Sequence, residues 1–250
     1  MANENLNPLK VNPEEELDHL FKMSLHCICI ADIHTTNFLQ VNPAFETVLG
    51  YRPEEIINRS FLDFIHPDDI QPTKEIVEKH LRLGKKVIHF ENRYFKKDGS
   101  VVWLDWVSHP DVEKGITYAI GSDITQRKKM ELDLKESEGK FRTLFEKSTD
   151  PILILEDGVF TDCNRAATHI LGYKSKRGIV GKKPHEISPA LQHDGLSSEE
   201  KARKEIKIAR ENGYNRFEWV HRDRNKNELF LDIALTDISE DGVERLFTIW

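Results

Sequence analysis

The sequence predicts an α+β chain made of two copies of one domain, each an antiparallel sheet with its helices gathered on one face. Two kinds of observation carry this. Val41 to Tyr51 reads VNPAFETVLGY and Cys163 to Tyr173 reads CNRAATHILGY, so one pattern of Asn, Ala, Leu and Gly-Tyr recurs 122 residues on, from Asn42 to Asn164. Further along, Phe90-Glu91, Asp98 and Asp105 correspond to Phe217-Glu218, Asn225 and Asp232, spaced by 127 (90 to 217). Two copies at so long a period indicate duplicated globular domains, since solenoids repeat every 20–50 residues or so and need about three copies. Each copy also runs two strands, several helices, three strands, the order of a sheet with segregated helices. A chain of 250 residues suits two domains at roughly 100–200 residues each.

Residues 1–12 are expected to form a flexible tail, and 13–125 the first domain. Pro13 behind Asn12 opens a short amphipathic helix with Glu14 to Glu16 at its positive end and Leu17, Leu20, Phe21 and Ser24 on one face. Leu25 to Ala31 reads as a buried strand, DIHTTN as a turn, and Phe38 to Val41 as the returning strand. Asn42 is expected to cap a helix that ends near Gly50, and a longer helix follows Pro67-Asp68-Asp69 to about Leu83, stopped by Gly84. VIHFENRYF and VVWLDWVSH flank a Lys97-Asp98-Gly99-Ser100 hairpin turn, and ITYAIGSD is the last strand. The second domain, 141–250, repeats the order with PILILED, VFTDC, a helix from Asn164, and a helix opened by Ser197 and Glu200 and closed by Gly213. FEWVHRD, ELFLDIALT and VERLFTIW complete it, the last strand being expected to continue, with a second output motif about two residues past Trp250.

Composition narrows the function. Hydrophobic residues make up 38% and charged ones 32%, with no run near the ~18 apolar residues of a membrane span, so a soluble chain is expected. MANENLNPLK has no basic start or apolar core of a secretory signal, and Cys27, Cys29 and Cys163 make neither a disulfide framework nor a zinc site, which points to the cytoplasm. A net charge of −7 without a basic cluster argues against nucleic acid.

The segments NPAFETVLGYRPEEI, SFLDFIHPDD, FENRYFKKDGSVVWLDW and SDITQRKKMEL, followed by CNRAATHILGY, SPALQHDGLSSEEKA and FEWVHRDRNKNELFLDI, resemble the PAS family of sensory domains twice over, across about residues 15–125 and 141–250. The resemblance implies a five-stranded antiparallel sheet cupping a small cavity under its helices. It further implies a sensory input module whose output domain is a histidine kinase, with a diguanylate cyclase or chemoreceptor, or a ligand-free dimerisation spacer, as alternatives. A homodimer is expected.

Between the copies, the linker 126–140 and its continuation place Met130, Leu134, Ser137, Phe141 and Leu144 at coiled-coil spacing, with Glu131/Lys135 and Glu136/Lys140 as i,i+4 pairs. Periodicity alone fits an ordinary charged connector equally well; the resemblance implies the coil. Asp123, Ile124 and Thr125 match the family's motif between last strand and signal helix. As cap and turn residues they also start that helix on physical grounds.

The expected cavity of the first domain lies between residues 68–83 and strands 87–109. Its candidate lining is Phe45, Tyr51, Ile76, His80 and one of Trp103 and Trp106. The resemblance implies a haem ligand eleven residues before the Gly that ends the long helix, where Thr73 and Ala202 stand, so haem held there is not expected. His80, near Ile76 and Leu83, reads as a core histidine. Cysteinyl-flavin photochemistry is excluded because Arg59 occupies the thiol's place in Asn58-Arg59-Ser60-Phe61-Leu62, while noncovalent flavin binding stays open and the sequence names no cofactor. Cys27 and Cys29 are taken to face opposite sides of the sheet and to be buried small hydrophobes. Trp103 and Trp106 have opposite parity, so one faces the cavity and the other a contact surface. His185-Glu186-Ile187-Ser188-Pro189 resembles a phosphoacceptor box but lacks its spacing and heptad helix, and reads as a loop. No nucleophile elbow, phosphate loop, HExxH or paired-Cys motif is present, so no catalysis by this chain and no metal are expected.

Overall fold

The computed structural model describes residues 12–240 and 242–250, so the expected tail, Asn12 apart, lies outside the described residues. They divide into two compact units, with the boundary between Asp133 and Leu134. Among the described residues no helix is long and apolar enough to cross a membrane.

The first unit begins with α1 (Pro13–Met23), capped by Asn12 Oδ1 on the Glu14 N–H at 3.2 Å. β1 (Cys27–Asp32) and β2 (Phe38–Val41) form a hairpin, followed by α2 (Ala44–Leu49), α3 (Pro53–Ile56), a 3-10 turn at Phe61–Phe64 and α4 (Pro67–Lys79). Then come β3 (Val87–Phe95), β4 (Val101–Asp111) and β5 (Ile116–Asp123). The sheet order is β2-β1-β5-β4-β3, antiparallel throughout. The last strand thus sits in the centre, between β1 and β4.

Strand parity sorts the core. Along β4 the even residues Val102, Leu104, Trp106 and Ser108 are buried under the helices, while Trp103 and Asp105 lie on the other face. Residues two apart share a face, so Cys27 and Cys29 both point inward, contrary to the expected opposition. Burial pushes both thiols up, that of Cys27 to about 12, which keeps them protonated and unreactive. Phe38 anchors the helical side, its ring meeting Phe45 at 5.4 Å and Phe61 at 5.9 Å edge-on. Each fully buried side chain of this kind contributes roughly 1.5–3 kcal/mol.

Two local expectations are corrected. Asn42 does not cap α2 with its side chain. It is fully buried, and its amide is spent on accepting from Ile28 N at 2.9 Å and donating to the carbonyls of Phe21 at 3.1 Å and His26 at 2.9 Å. α4 stops at Lys79, not Leu83, because Lys85 N–H returns to the His80 carbonyl and left-handed Gly84 tightens Leu81–Leu83 into a 3-10 turn. Leu83 is therefore exposed and off the Ile76 face.

α5 (Thr125–Lys147) runs beyond the expected linker at both ends. Met130, Leu134, Phe141 and Leu144 are all exposed, Leu144 at 74%. Glu136 pairs with Lys140 at 2.6 Å, whereas Glu131 faces Arg127 and Lys128, each at 3.8 Å. The buried residue is Phe145, which lies outside the seam and sits in the second unit under Lys176.

The second unit contains β6 (Ile152–Glu156), β7 (Val159–Cys163), α6 (Arg165–Ile170), α7 (Ser198–Asn212), β8 (Tyr214–Arg222), β9 (Glu228–Asp237) and β10 (Arg245–Ile249). Its order β7-β6-β10-β9-β8 reproduces the first sheet. Here Asn164 does cap its helix, on Ala167 N at 2.9 Å, while also accepting from Ile152 N.

Candidate functional site

Sheet and helices of the first unit enclose a cavity of about 60 Å³. α4 supplies Thr73, Ile76 and Val77, β3 supplies Phe90, Asn92 and Tyr94, β4 supplies Trp106 and Ser108, and β5 supplies Thr117 and Ala119. Residues of β1 and β2 complete the wall, Cys29, Ala31 and Phe38 among them, so it extends beyond the expected helix and strands.

A hydrogen-bonded chain stiffens one side of this wall. Trp106 Nε1 donates to Asn92 Oδ1 at 3.0 Å, Asn92 Nδ2 donates to Thr73 Oγ1 at 3.1 Å, and Thr73 Oγ1 donates to the Asp69 carbonyl at 2.7 Å. On the outer face the same helix and strand are tied by Arg93, whose guanidinium meets both Asp69 oxygens at 2.7 and 2.9 Å and holds that carboxyl below the usual range. Thr117, 3% exposed, is different: its Oγ1 is buried in the wall without a hydrogen-bond partner among the described residues. Among the described residues no Asp, Glu, Lys, Arg or His lines the cavity, and burial raises the Tyr94 hydroxyl and Cys29 thiol, so both stay neutral.

The sequence-derived candidates scatter. Ile76 and Trp106 line the cavity. Phe45 is buried behind Phe38, Tyr51 packs edge-on to Phe64 at 5.1 Å, and His80 is the C-cap of α4 with a buried, unpartnered Nδ1 outside the lining. Trp103 lies on the opposite face, with the Arg93 and Lys128 cations 5.4 and 5.3 Å from its ring. Asn92 and Thr117 were missed; the two-residue period of VIHFENRYF and ITYAIGSD, read against Trp106, was the available signal.

At the far end of β5 the Asp123-Ile124-Thr125 segment is fastened to β4. Asp123 Oδ1 accepts from Thr125 N at 2.8 Å, Ile124 N donates to the Trp103 carbonyl at 2.9 Å, and Thr125 Oγ1 accepts from Trp103 N at 3.0 Å. One turn on, Arg127 and Lys128 both reach Glu91 of β3 at 2.5 Å. The first turn of α5 is thereby bound to two strands whose inner residues line the cavity.

A family model described as PAS fold matches residues 38–121, and one described as PAS domain matches residues 139–207. The chain belongs to the PAS family. Its two PAS units are similar to part of Sporulation kinase A of Bacillus subtilis, 23% identical over 159 residues, covering 62% of this chain and 26% of that protein. White collar 2 protein of Neurospora crassa is 33% identical over 72 residues, 29% of this chain and 13% of that protein. The chain thus spans about a quarter or less of these relatives. Among solved structures, a PAS domain from Colwellia psychrerythraea is 23% identical, covers 46% of this chain and 99% of its own, and superposes with a TM-score of 0.41.

The second PAS unit has a cavity of about 30 Å³. Its wall includes His221 of β8, which sequence reasoning did not single out. The ring is fully buried, its Nδ1 lies 2.9 Å from Ser188 Oγ and 3.1 Å from the Ile187 carbonyl, and burial pulls its pKa down to about 3. Ser188 Oγ also accepts from Trp219 Nε1 at 3.1 Å, so His185-Glu186-Ile187-Ser188 is a 3-10 turn and its exit that close over this core.

Proposed function

We propose that this chain is the cytoplasmic sensory input module of a signalling protein with a histidine kinase output, and that a change in the first cavity reaches α5 through Asp123, Ile124 and Thr125. The observation that carries the reading is the placement of two tryptophans on β4. Trp106 is in the cavity wall, hydrogen-bonded to Asn92, and Trp103, three residues earlier, holds Ile124 and Thr125 by its backbone. A small shift of β4 at Trp106 is therefore applied to the start of α5, a two-state element that differential cavity contacts can bias. The module itself performs no chemistry; it changes the population of helix arrangements presented to the output domain and to a second copy of the chain.

Amide exchange tests this. Filling the cavity by Ala31→Leu with Thr117→Leu should change exchange at residues 125–133 by about 5-fold or more, the lower end of common coupling energies. Thr125→Val, which deletes the acceptor for Trp103 N–H, should abolish the difference, and Thr125→Ser should retain it. Exchange at 125–133 that ignores the state of the cavity would instead identify a passive spacer.

A further inference from the structure

The two sheets can be superimposed by register alone. Ala31 faces Phe38 and Thr117, while Leu155 faces Phe160 and Leu246; Cys29 faces Val41 and Ala119, while Leu153 faces Cys163 and Thr248. Thr117 of the first unit therefore corresponds to Leu246 of the second, and Ala31 to Leu155. By the same pairing Asn92, opposite Leu104, corresponds to Trp219, opposite Leu231, and Ser108, opposite Ala119, corresponds to Leu235, opposite Thr248. Thr73 corresponds to Ala202, each eleven residues before the left-handed Gly that follows its helix, and both line their cavities. Thr117, Thr73 and Ser108 of the first unit thus give way to Leu246, Ala202 and Leu235, and Ala31 to Leu155, whereas Thr248, which replaces Ala119, has its hydroxyl bonded by Trp250 Nε1 at 3.1 Å; the second cavity measures about 30 Å³ against about 60 Å³ in the first.

Resting on the reading of this chain as a sensor, we propose that the first cavity takes a small uncharged molecule with an apolar body and one hydrogen-bonding group, anchored by Thr117, and that the second unit is closed to it. Asn92, Thr73 and Trp106 hydrogen-bond one another, whereas the Thr117 hydroxyl is buried in the wall without a partner. A buried hydroxyl is stable only when it is hydrogen-bonded, so the site is built for a complementary group. A charged occupant has no counter-ion on the wall and would carry the full cost of desolvation. Size sets the rest: an apolar cavity of about 150 Å³ accommodates benzene, so about two to four non-hydrogen atoms fit here. Short alcohols, aldehydes and ketones have this form; carboxylates, amino acids and phosphates do not.

Acetone and acetate, equal in non-hydrogen atoms and differing in charge, are the probes. Methyl NMR of the whole chain should show saturable shifts at Ile76, Val77 and Ala119 with acetone and none with acetate. Thr117→Val should weaken acetone binding at least ~5-fold, a lost hydrogen bond of about 1 kcal/mol, Thr117→Ser should restore it, and Ala31→Leu with Thr117→Leu should abolish it. Methyls of the second unit, Leu155 and Leu246, should not move. The proposal fails if acetate binds as well as acetone, if acetone gives no saturable shift, or if the Val variant binds it unchanged. Failure here with residues 125–133 still responding to cavity filling would refute only the ligand class; a silent α5 would refute the sensory reading while leaving acetone binding intact.

Discussion

Gly121→Ala probes the link between sheet packing and the cavity. Gly121 lies on β5 directly opposite Trp106, and the indole covers the place where a side chain would be. A Cβ there would stand 2.8 Å from two ring carbons, against 3.4 Å for ordinary contact, so the ring must retreat by 3.4 − 2.8 = 0.6 Å. That displacement acts on a ring fixed by a 3.0 Å hydrogen bond to Asn92, itself bonded to Thr73. Overpacking of this size costs about 1–3 kcal/mol, and freeing Asn92 Oδ1 in the core adds ~1–3, against a gain of ~0.5–1 for replacing glycine in a strand. The net loss is about 1–5.5 kcal/mol, and at roughly 4 °C per kcal/mol for a unit of this size the first unit should melt about 4–22 °C lower. Methyl signals of Leu104 and Val102 followed through a thermal or urea series report the first unit; those of Leu155 and Leu235 should keep their midpoint. A Gly121→Ala chain with an unchanged midpoint and an unshifted Trp106 indole N–H would refute the packing argument.

Three further outcomes are expected. His221 has its pKa lowered from 6.5 to about 3 in the fold, so between those values the unfolded chain binds the extra proton and the stability of the second unit falls as pH falls, by ~1.4 kcal/mol per pH unit. His221→Phe should be less stable at neutral pH yet show a flatter profile from pH 6.5 to 4; parallel profiles would contradict this. Leu134→Glu, at a position 62% exposed, should leave both units folded and move sedimentation from dimer toward monomer, and an unaltered dimer would transfer the contact to a domain face. Gly139 meets nothing within 4 Å at its Cβ position, so Gly139→Ala should stabilise α5 by about 1 kcal/mol and slow amide exchange over 134–147; exchange no slower than in the parent would refute the helix assignment there.

Much of this molecule was legible in one sequence because the signals are local or periodic. The duplicated NPAFETVLGY-like segment, the Asp98-Gly99 turn and the alternation of β4 depend on backbone conformation and on which residues tolerate burial, and these act within a few residues. Thr73 and Ala202 could be located by counting back from a helix-ending glycine, and Trp103 and Trp106 could be parted by parity. The Cys27 and Cys29 error was one of applying that same parity. What chain order could not give was the partner of each strand across the sheet. Placing β5 between β1 and β4 brings Thr117 beside Ala31, residues 86 apart (31 to 117), and sets Gly121 under Trp106. It also leaves Phe45 and Tyr51 behind the wall, and turns Asn42 from a cap into a buried bridge. Local composition thus determined the fold class, its duplication and the Asp123–Thr125 turn that starts α5, whereas the cavity, its spare hydroxyl and the smaller cavity of the second copy were decided by long-range packing, because a void is defined only by all the side chains that surround it.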